Sequence, residues 1–122
     1  MSKVILLECN EYDLDIVYEK IKWGIDQLGG IQSIIPVSKK VLLKPNLLIS
    51  AEPDAAVTTH PVVFEAVIKL MKENGYQIKF GDSPGFGNPE KVATKAGLVE
   101  VAKKYEVEQA DFVKGERISF PE

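Results

Sequence analysis

Three short polar segments carry the side chains of this 122-residue chain that could do chemistry. Lys44-Pro45-Asn46 follows one apolar run, residues 81–87 (Gly-Asp-Ser-Pro-Gly-Phe-Gly) follow another, and the only histidine, His60, lies between them. An ammonium and glycine-rich backbone both suit anions, whereas an imidazole titrates near neutral pH. The chemistry that these residue types indicate is binding of a small charged ligand, with proton transfer as a further option.

The glycine-rich loop is the strongest candidate for ligand binding. Its glycines allow backbone N–H groups to approach a ligand, and the helix predicted to begin at Pro89 would direct its positive end toward the same place. The spacing matches neither the dinucleotide-binding G-x-G-x-x-G pattern nor the P-loop. The ligand-binding residues predicted here are Asp82, Ser83, Gly85, Gly87 and Asn88. The structural alternative is a tight Ser-Pro-Gly turn, with Asp82 capping its own backbone.

Lys44 and His60 are the catalytic candidates, and Asn46 is a further ligand-binding candidate. If Lys44 were desolvated between Leu43 and Pro45, its charged form would be disfavoured, as in catalytic lysines. The structural alternatives are a lysine that extends its ammonium into water and a histidine that caps a helix.

The single cysteine, Cys9, limits the metal chemistry of the chain. A disulfide framework is excluded, and so is an iron–sulfur site that needs several thiolates from this chain. We predict no metal ligands and no cofactor bound by this chain alone. Cys9 could act as a nucleophile or ligand at the end of the first predicted strand, although a small inert cysteine is the commoner outcome.

Composition argues against two classes of partner. The net charge is -3 and no basic stripe is evident, which disfavours nucleic-acid binding. No segment approaches the length of an apolar transmembrane helix, and the amino-terminal apolar run is too short for a signal peptide. We therefore expect a cytoplasmic protein with no nucleic-acid or membrane partner.

Hydrophobic periodicity and helix caps predict alternating strands and helices. Asp13, Thr59 or His60, and Asn88 are predicted to cap helices, and Gly29-Gly30 and Gly75 to end two of them. Strands are predicted at residues 3–8, 40–44, 76–81 and 110–113, and helices at 14–28, 61–74, 89–97 and 98–105. This order favours a three-layer α/β fold, Rossmann-like in general architecture, with a mainly parallel sheet of about four strands.

The predicted sheet positions the candidate residues. Parallel strands end at one edge, and α/β sheets bind ligands in the crevice outside the carboxyl ends of their strands. We therefore expect Cys9, Asn46 and Asp82 to gather along that edge. The apolar 40–44 strand is predicted to be covered on both faces.

The order of motifs resembles the family named domain of unknown function 362. The matching residues are Cys9, Tyr12-Asp13, Leu28-Gly29-Gly30, residues 41–47, Thr58-Thr59-His60-Pro61 and residues 81–85. The resemblance implies an α/β domain of prokaryotic proteins, often followed by a ferredoxin-like module with four-iron–four-sulfur clusters. Since residues 114–122 complete no recognisable unit, we expect an incomplete domain, the amino-terminal half of a larger one. Any cluster would then be bound by sequence absent here.

Three functional hypotheses follow. The first is part of a redox-associated protein whose strand-end loops bind a small anionic ligand or cofactor. The second is a non-catalytic interaction module in which Leu47, Leu48 and Ile49 contact a partner or the missing half, and an oligomer is also possible. The third is a metal-assisted enzyme that uses His60, Asp82 and Cys9.

Overall fold

The computed structural model describes residues 2–35 and 40–120. Its helices and strands alternate along the chain as an α/β protein requires. In chain order they are α1 (Leu14–Gln27), α2 (Ile31–Ile34), β1 (Lys40–Leu43), a 3₁₀ turn (Pro53–Ala55), α3 (Pro61–Glu73), β2 (Gln77–Phe80), α4 (Pro89–Lys95), α5 (Leu98–Lys104) and β3 (Glu108–Gln109).

Helices α1, α3 and α4 each begin with the side-chain cap that the sequence predicted. Asp13 Oδ1 accepts hydrogen bonds from the N–H groups of Asp15 and Ile16, at 3.0 and 3.1 Å. His60 and Asn88 cap α3 and α4 in the same manner, each followed by a proline in the first turn. These helix starts are confirmed because the signal that specifies them is local.

The described strands form one parallel sheet in the order β1-β2-β3. Val41 pairs with Ile78, and Lys79 pairs with Glu108. The α/β class and the parallel sheet are therefore confirmed, with three strands in the described residues. The Rossmann-like description stays a prediction.

Helices cover one face of this sheet. Phe80 lies against Phe64 of α3, with ring centroids 5.2 Å apart, and Ile78 is buried on the same side. The core on that side includes Ile31, Leu47, Ile68, Val92 and Leu98. On the opposite face Leu42 is half exposed and Lys79 reaches solvent. This face of β1 is therefore open within the described residues, and the expectation that β1 is covered on both faces is wrong.

Residues 3–8 do not form the predicted strand. Val4 and Leu6 are almost fully exposed, whereas Ile5 and Leu7 lie over Gly24 of α1. An apolar run makes a strand only when a neighbour supplies ladder hydrogen bonds, and none is formed here within the described chain.

Three smaller differences concern connections. Helix α2 occupies part of the predicted 31–39 connection, whose Pro36 lies outside the described residues, and the 3₁₀ turn interrupts the long loop after β1. The last strand is Glu108–Gln109 rather than 110–113. Among residues 2–35 and 40–120, no helix has both the length and the apolar character to cross a membrane.

Candidate functional site at the carboxyl edge

The loops that follow β1 and β2 run side by side at the carboxyl edge of the sheet. The N–H of Gly81 donates to the carbonyl of Leu43 at 3.0 Å, and the N–H of Phe86 donates to the carbonyl of Leu48 at 3.3 Å. Parallel strands place their carboxyl ends together, and these hydrogen bonds extend the contact beyond the strands. The two polar loops identified in the sequence therefore form one continuous surface.

Asp82 is the buried centre of this edge. It is 3% exposed, and its carboxylate accepts a hydrogen bond from the N–H of Leu47 at 2.8 Å. The Lys44 ammonium lies 2.5 Å from the other carboxylate oxygen. Asp82 thus connects both loops, and Lys44 supplies the positive charge that a buried carboxylate requires.

The pKa of Asp82 lies below its ordinary value. Burial alone would raise it, but hydrogen bonds from Lys44 and from the backbone N–H groups of Leu47 and Ser83 outweigh that effect. The carboxylate is therefore ionised at neutral pH. The condition for a desolvated catalytic lysine is not met at Lys44, because its side chain is 65% exposed. Its ammonium can contact Asp82 and a ligand in solvent together.

Asn46 and Thr59 join the start of α3 to the same edge. The N–H of Asn46 donates to Thr59 Oγ1 at 3.1 Å, and the N–H of Thr59 donates to the carbonyl of Asn46 at 3.4 Å. This reciprocal pair places His60, the next residue, beside the loop that carries Lys44. Thr59 is thus a loop partner rather than the helix cap.

His60 is fixed from two sides. Its Nδ1 accepts a hydrogen bond from the N–H of Val62 at 3.2 Å, which caps α3. The ring of Tyr12 stacks on the imidazole, with centroids 3.5 Å apart and planes 7° from parallel. Burial lowers the pKa of His60, and the nearby Asp54 carboxylate only partly opposes this.

Asn88 has a structural role that bears on the predicted anion site. Its Oδ1 accepts from the N–H groups of Glu90 and Lys91, at 2.9 and 3.2 Å. These first-turn donors of α4 already have a partner. Gly87 has a positive φ of 94°, which favours glycine. Ser83 and Gly85 are exposed on the loop surface.

Cys9 is exposed, and its thiol donates to the carbonyl of Glu11 at 3.5 Å. It lines a groove of about 510 Å³ beside α1, together with Tyr12. Of the residues predicted to gather at the edge, Asn46 and Asp82 lie close together, because the N–H of Leu47, the residue after Asn46, donates to Asp82. No described contact joins Cys9 to either residue. In the described ranges no group of three or more His, Cys, Asp or Glu side chains is arranged to hold a metal ion. A single thiolate does not fit an iron–sulfur cluster bound by this chain alone.

Sequence reasoning missed two features of the edge. The Tyr12–His60 stack joins residues far apart in the chain, and only their common aromatic character could have indicated it. Leu47, predicted to be a docking residue, is buried in the core. Phe86 is instead the most exposed apolar side chain of the two loops, at 78%, beside the partly exposed Leu48 and Ile49.

The fold and this edge define an α/β domain whose polar loops follow the carboxyl ends of neighbouring parallel strands. The family model Domain of unknown function (DUF362) matches residues 41–122, and the chain belongs to this family. It is also 30% identical over 112 residues to "Thylakoid-associated protein sll1697" of Synechocystis sp.. That match covers 92% of this chain and 35% of the relative, so the chain spans about a third of the relative's length. No solved structure matches the chain.

Proposed function

We propose that the carboxyl edge binds a small anionic ligand or cofactor, with Lys44 as the main electrostatic contact. The observation that carries this proposal is the Lys44 ammonium, held 2.5 Å from the buried Asp82 while its side chain is 65% exposed. A pre-positioned ammonium loses less freedom on binding than a mobile one. It also has two further N–H donors for a ligand.

The backbone and side chains around Lys44 complete the proposed binding site. Ser83 offers a hydroxyl and Gly85 a backbone without a side chain on the adjoining loop, and Asn46 offers an amide beside Lys44. Asp82 acts in this proposal through Lys44, which it positions, because its own oxygens face Lys44 and Leu47. Gly87 and Asn88 shape the loop and cap α4.

Titration of the protein with inorganic phosphate and with succinate tests this proposal and separates phosphate from carboxylate ligands. Lys44→Met should weaken binding by at least about tenfold, since a hydrogen bond to a charged group contributes about 1.5–3 kcal/mol. Lys79→Met is the matched control, because Lys79 also forms an ion pair with a carboxylate but lies on the open face. Equal weakening in both variants would show non-specific charge attraction and contradict the proposal.

A redox context is a further part of the proposal, and it rests on family resemblance. Any iron–sulfur cluster would need thiolates from outside this chain, which has one cysteine. The purified 122-residue chain should therefore contain only background iron. A longer protein of the family that carries a cysteine-rich segment should contain iron and absorb visible light. A longer protein of that kind without iron would contradict the redox context.

A second candidate function is an interaction module, and the exposed apolar group of Leu48, Ile49 and Phe86 favours it. The two loops hold this group together, because the N–H of Phe86 donates to the carbonyl of Leu48. Apolar side chains clustered on a surface often mark contacts between proteins. If the partner is a second copy, sedimentation should show concentration-dependent association, and Phe86→Ser should remove it. Ile34→Ser is the control, because Ile34 is an exposed apolar residue of α2 outside this group, and it should leave the association unchanged. A monomer at every concentration contradicts a second copy as the partner.

A further inference from the structure

Two contacts constrain the chemical state and the orientation of His60 at the carboxyl edge. Its Nδ1 is an acceptor for the N–H of Val62 and so carries no proton. A neutral imidazole has one protonated nitrogen, which must then be Nε2. Protonation of Nδ1 would remove the cap from α3 and place a positive charge at the positive end of that helix.

The stacked ring of Tyr12 fixes the plane of this imidazole. The ring centroids lie 3.5 Å apart and the planes are nearly parallel, so the imidazole plane cannot tilt without losing the contact. Tyr12 comes from the segment before α1, while His60 begins α3. Two separate elements therefore determine where the Nε2–H group lies.

From this geometry we infer that His60 is a fixed neutral hydrogen-bond donor for the anionic ligand, acting through Nε2–H, and that Tyr12 is its positioning residue. This inference rests on the proposed function, because the ligand is the anion proposed above. It narrows the ligand to one with an acceptor oxygen for Nε2–H as well as a negative group for Lys44. Phosphate and carboxylate oxygens both meet this requirement.

The surroundings of His60 favour the neutral form. The groups that face it are the Tyr12 ring, the amino-terminal backbone of α3 and the Asp54 carboxylate of the 3₁₀ turn. Of these, only Asp54 favours a positive charge, and burial outweighs it, so the pKa of His60 is lowered. A neutral donor at neutral pH cannot also be the base that the sequence suggested, because its one free lone pair is occupied by Val62.

Because His60 is the only histidine, one nitrogen NMR spectrum of the ¹⁵N-labelled chain reports its tautomer without assignment by mutation. The wild type should show a protonated Nε2 and an unprotonated Nδ1. Addition of inorganic phosphate should shift the Nε2 resonance. A protonated Nδ1, or a mixture of both tautomers, overturns the inference.

Two substitutions at His60 separate the capping role from the donor role. His60→Asn keeps an oxygen near the position of Nδ1 and should preserve the cap, but it removes the donor at the ε position. His60→Gln retains a donor near the ε position and loses the cap. Phosphate affinity should fall about tenfold in His60→Asn, a fold-change typical of one charge-assisted hydrogen bond, with little change in stability. Full affinity in His60→Asn would show that His60 is a structural cap only.

Two substitutions of Tyr12 test its positioning role. Tyr12→Phe keeps the stacked ring and should keep phosphate affinity, whereas Tyr12→Ala should reduce it about two- to tenfold, as for loss of an aromatic pair. Equal affinity in both variants overturns the positioning role. A phosphate response at Lys44 without one at His60 overturns the donor role alone. The absence of any response to both phosphate and succinate in the whole spectrum overturns the proposed function and the donor role together, while the tautomer result is decided separately.

Discussion

Two lysine–carboxylate pairs, one between the loops after β1 and β2 and one between β2 and β3, differ mainly in the exposure of the acid. Lys44–Asp82 spans 2.5 Å at the carboxyl edge, and Lys79–Glu108 spans 2.8 Å on the open face of the sheet. The lysine side chains are similarly exposed, at 65% and 56%. The carboxylates are not, because the Asp82 side chain is 5% exposed and that of Glu108 is 71% exposed.

This difference decides what each pair contributes. Exposed pairs such as Lys79–Glu108 contribute about 0–1 kcal/mol, since water solvates each partner equally well alone. Asp82 cannot be hydrated in its buried position, so it depends on Lys44 and on the N–H of Leu47. The carboxyl-edge pair thus holds two loops together, whereas the open-face pair lies in solvent and contributes little to stability.

The largest expected effect comes from Asp82→Ala. It leaves the N–H of Leu47 buried without an acceptor and separates the two loops, so the free energy of unfolding should fall by about 2–3 kcal/mol. Glu108→Ala should change it by less than about 0.5 kcal/mol, as is usual for surface substitutions. Urea denaturation of both variants measures the difference. Similar losses in the two variants would contradict the distinction between the pairs.

The parts of this edge that could be predicted from sequence are those that local signals specify. Asp13, His60 and Asn88 cap their helices as predicted, because a cap is decided within three residues of chain. The apolar runs that became β1 and β2 also carried enough information for a parallel sheet. The edge itself followed from the rule that parallel strands end together.

The parts that could not be predicted depend on which distant residues meet. Residues 3–8 have the composition of a buried strand, yet no described strand pairs with them. The charge of Lys44 gave no sign that Asp82 would bind it, and Tyr12 gave no sign of stacking on His60. Leu42 looked like a core residue because composition does not tell which face of a strand is covered.

Removing the lysine rather than the acid should have a smaller effect. Lys44→Met leaves the Asp82 carboxylate with its backbone donors but without a counter-charge, and we expect a loss of about 1–2 kcal/mol. This is below the range of about 3–5 kcal/mol for fully buried pairs, because water can approach from the exposed side of Lys44. Lys79→Met should be close to neutral in the same denaturation experiment. A loss as large for Lys79→Met would place the two pairs in one class.

The smallest expected change in the free energy of unfolding comes from protonation of Asp82 at low pH. Protonation changes neither the shape of this side chain nor its capacity to accept hydrogen bonds. The pKa of Asp82 is lower in the folded state than in the unfolded state, so the unfolded chain binds more protons between the two values. The stabilisation is fully present above the ordinary aspartate pKa and is lost as the pH falls through the folded value.

Stability measured against pH for the wild type and for Asp82→Asn should isolate this contribution. Other carboxylates titrate in the same range, including Asp111, whose pKa is lowered by hydrogen bonds from the N–H groups of Val113 and Lys114. They cancel in the difference between the two proteins. That difference should shrink as the pH falls below the ordinary aspartate range, whereas the same comparison for Glu108→Gln should stay nearly flat. A flat difference for Asp82→Asn would mean that Lys44 and the backbone donors together do not stabilise the ionised form of Asp82.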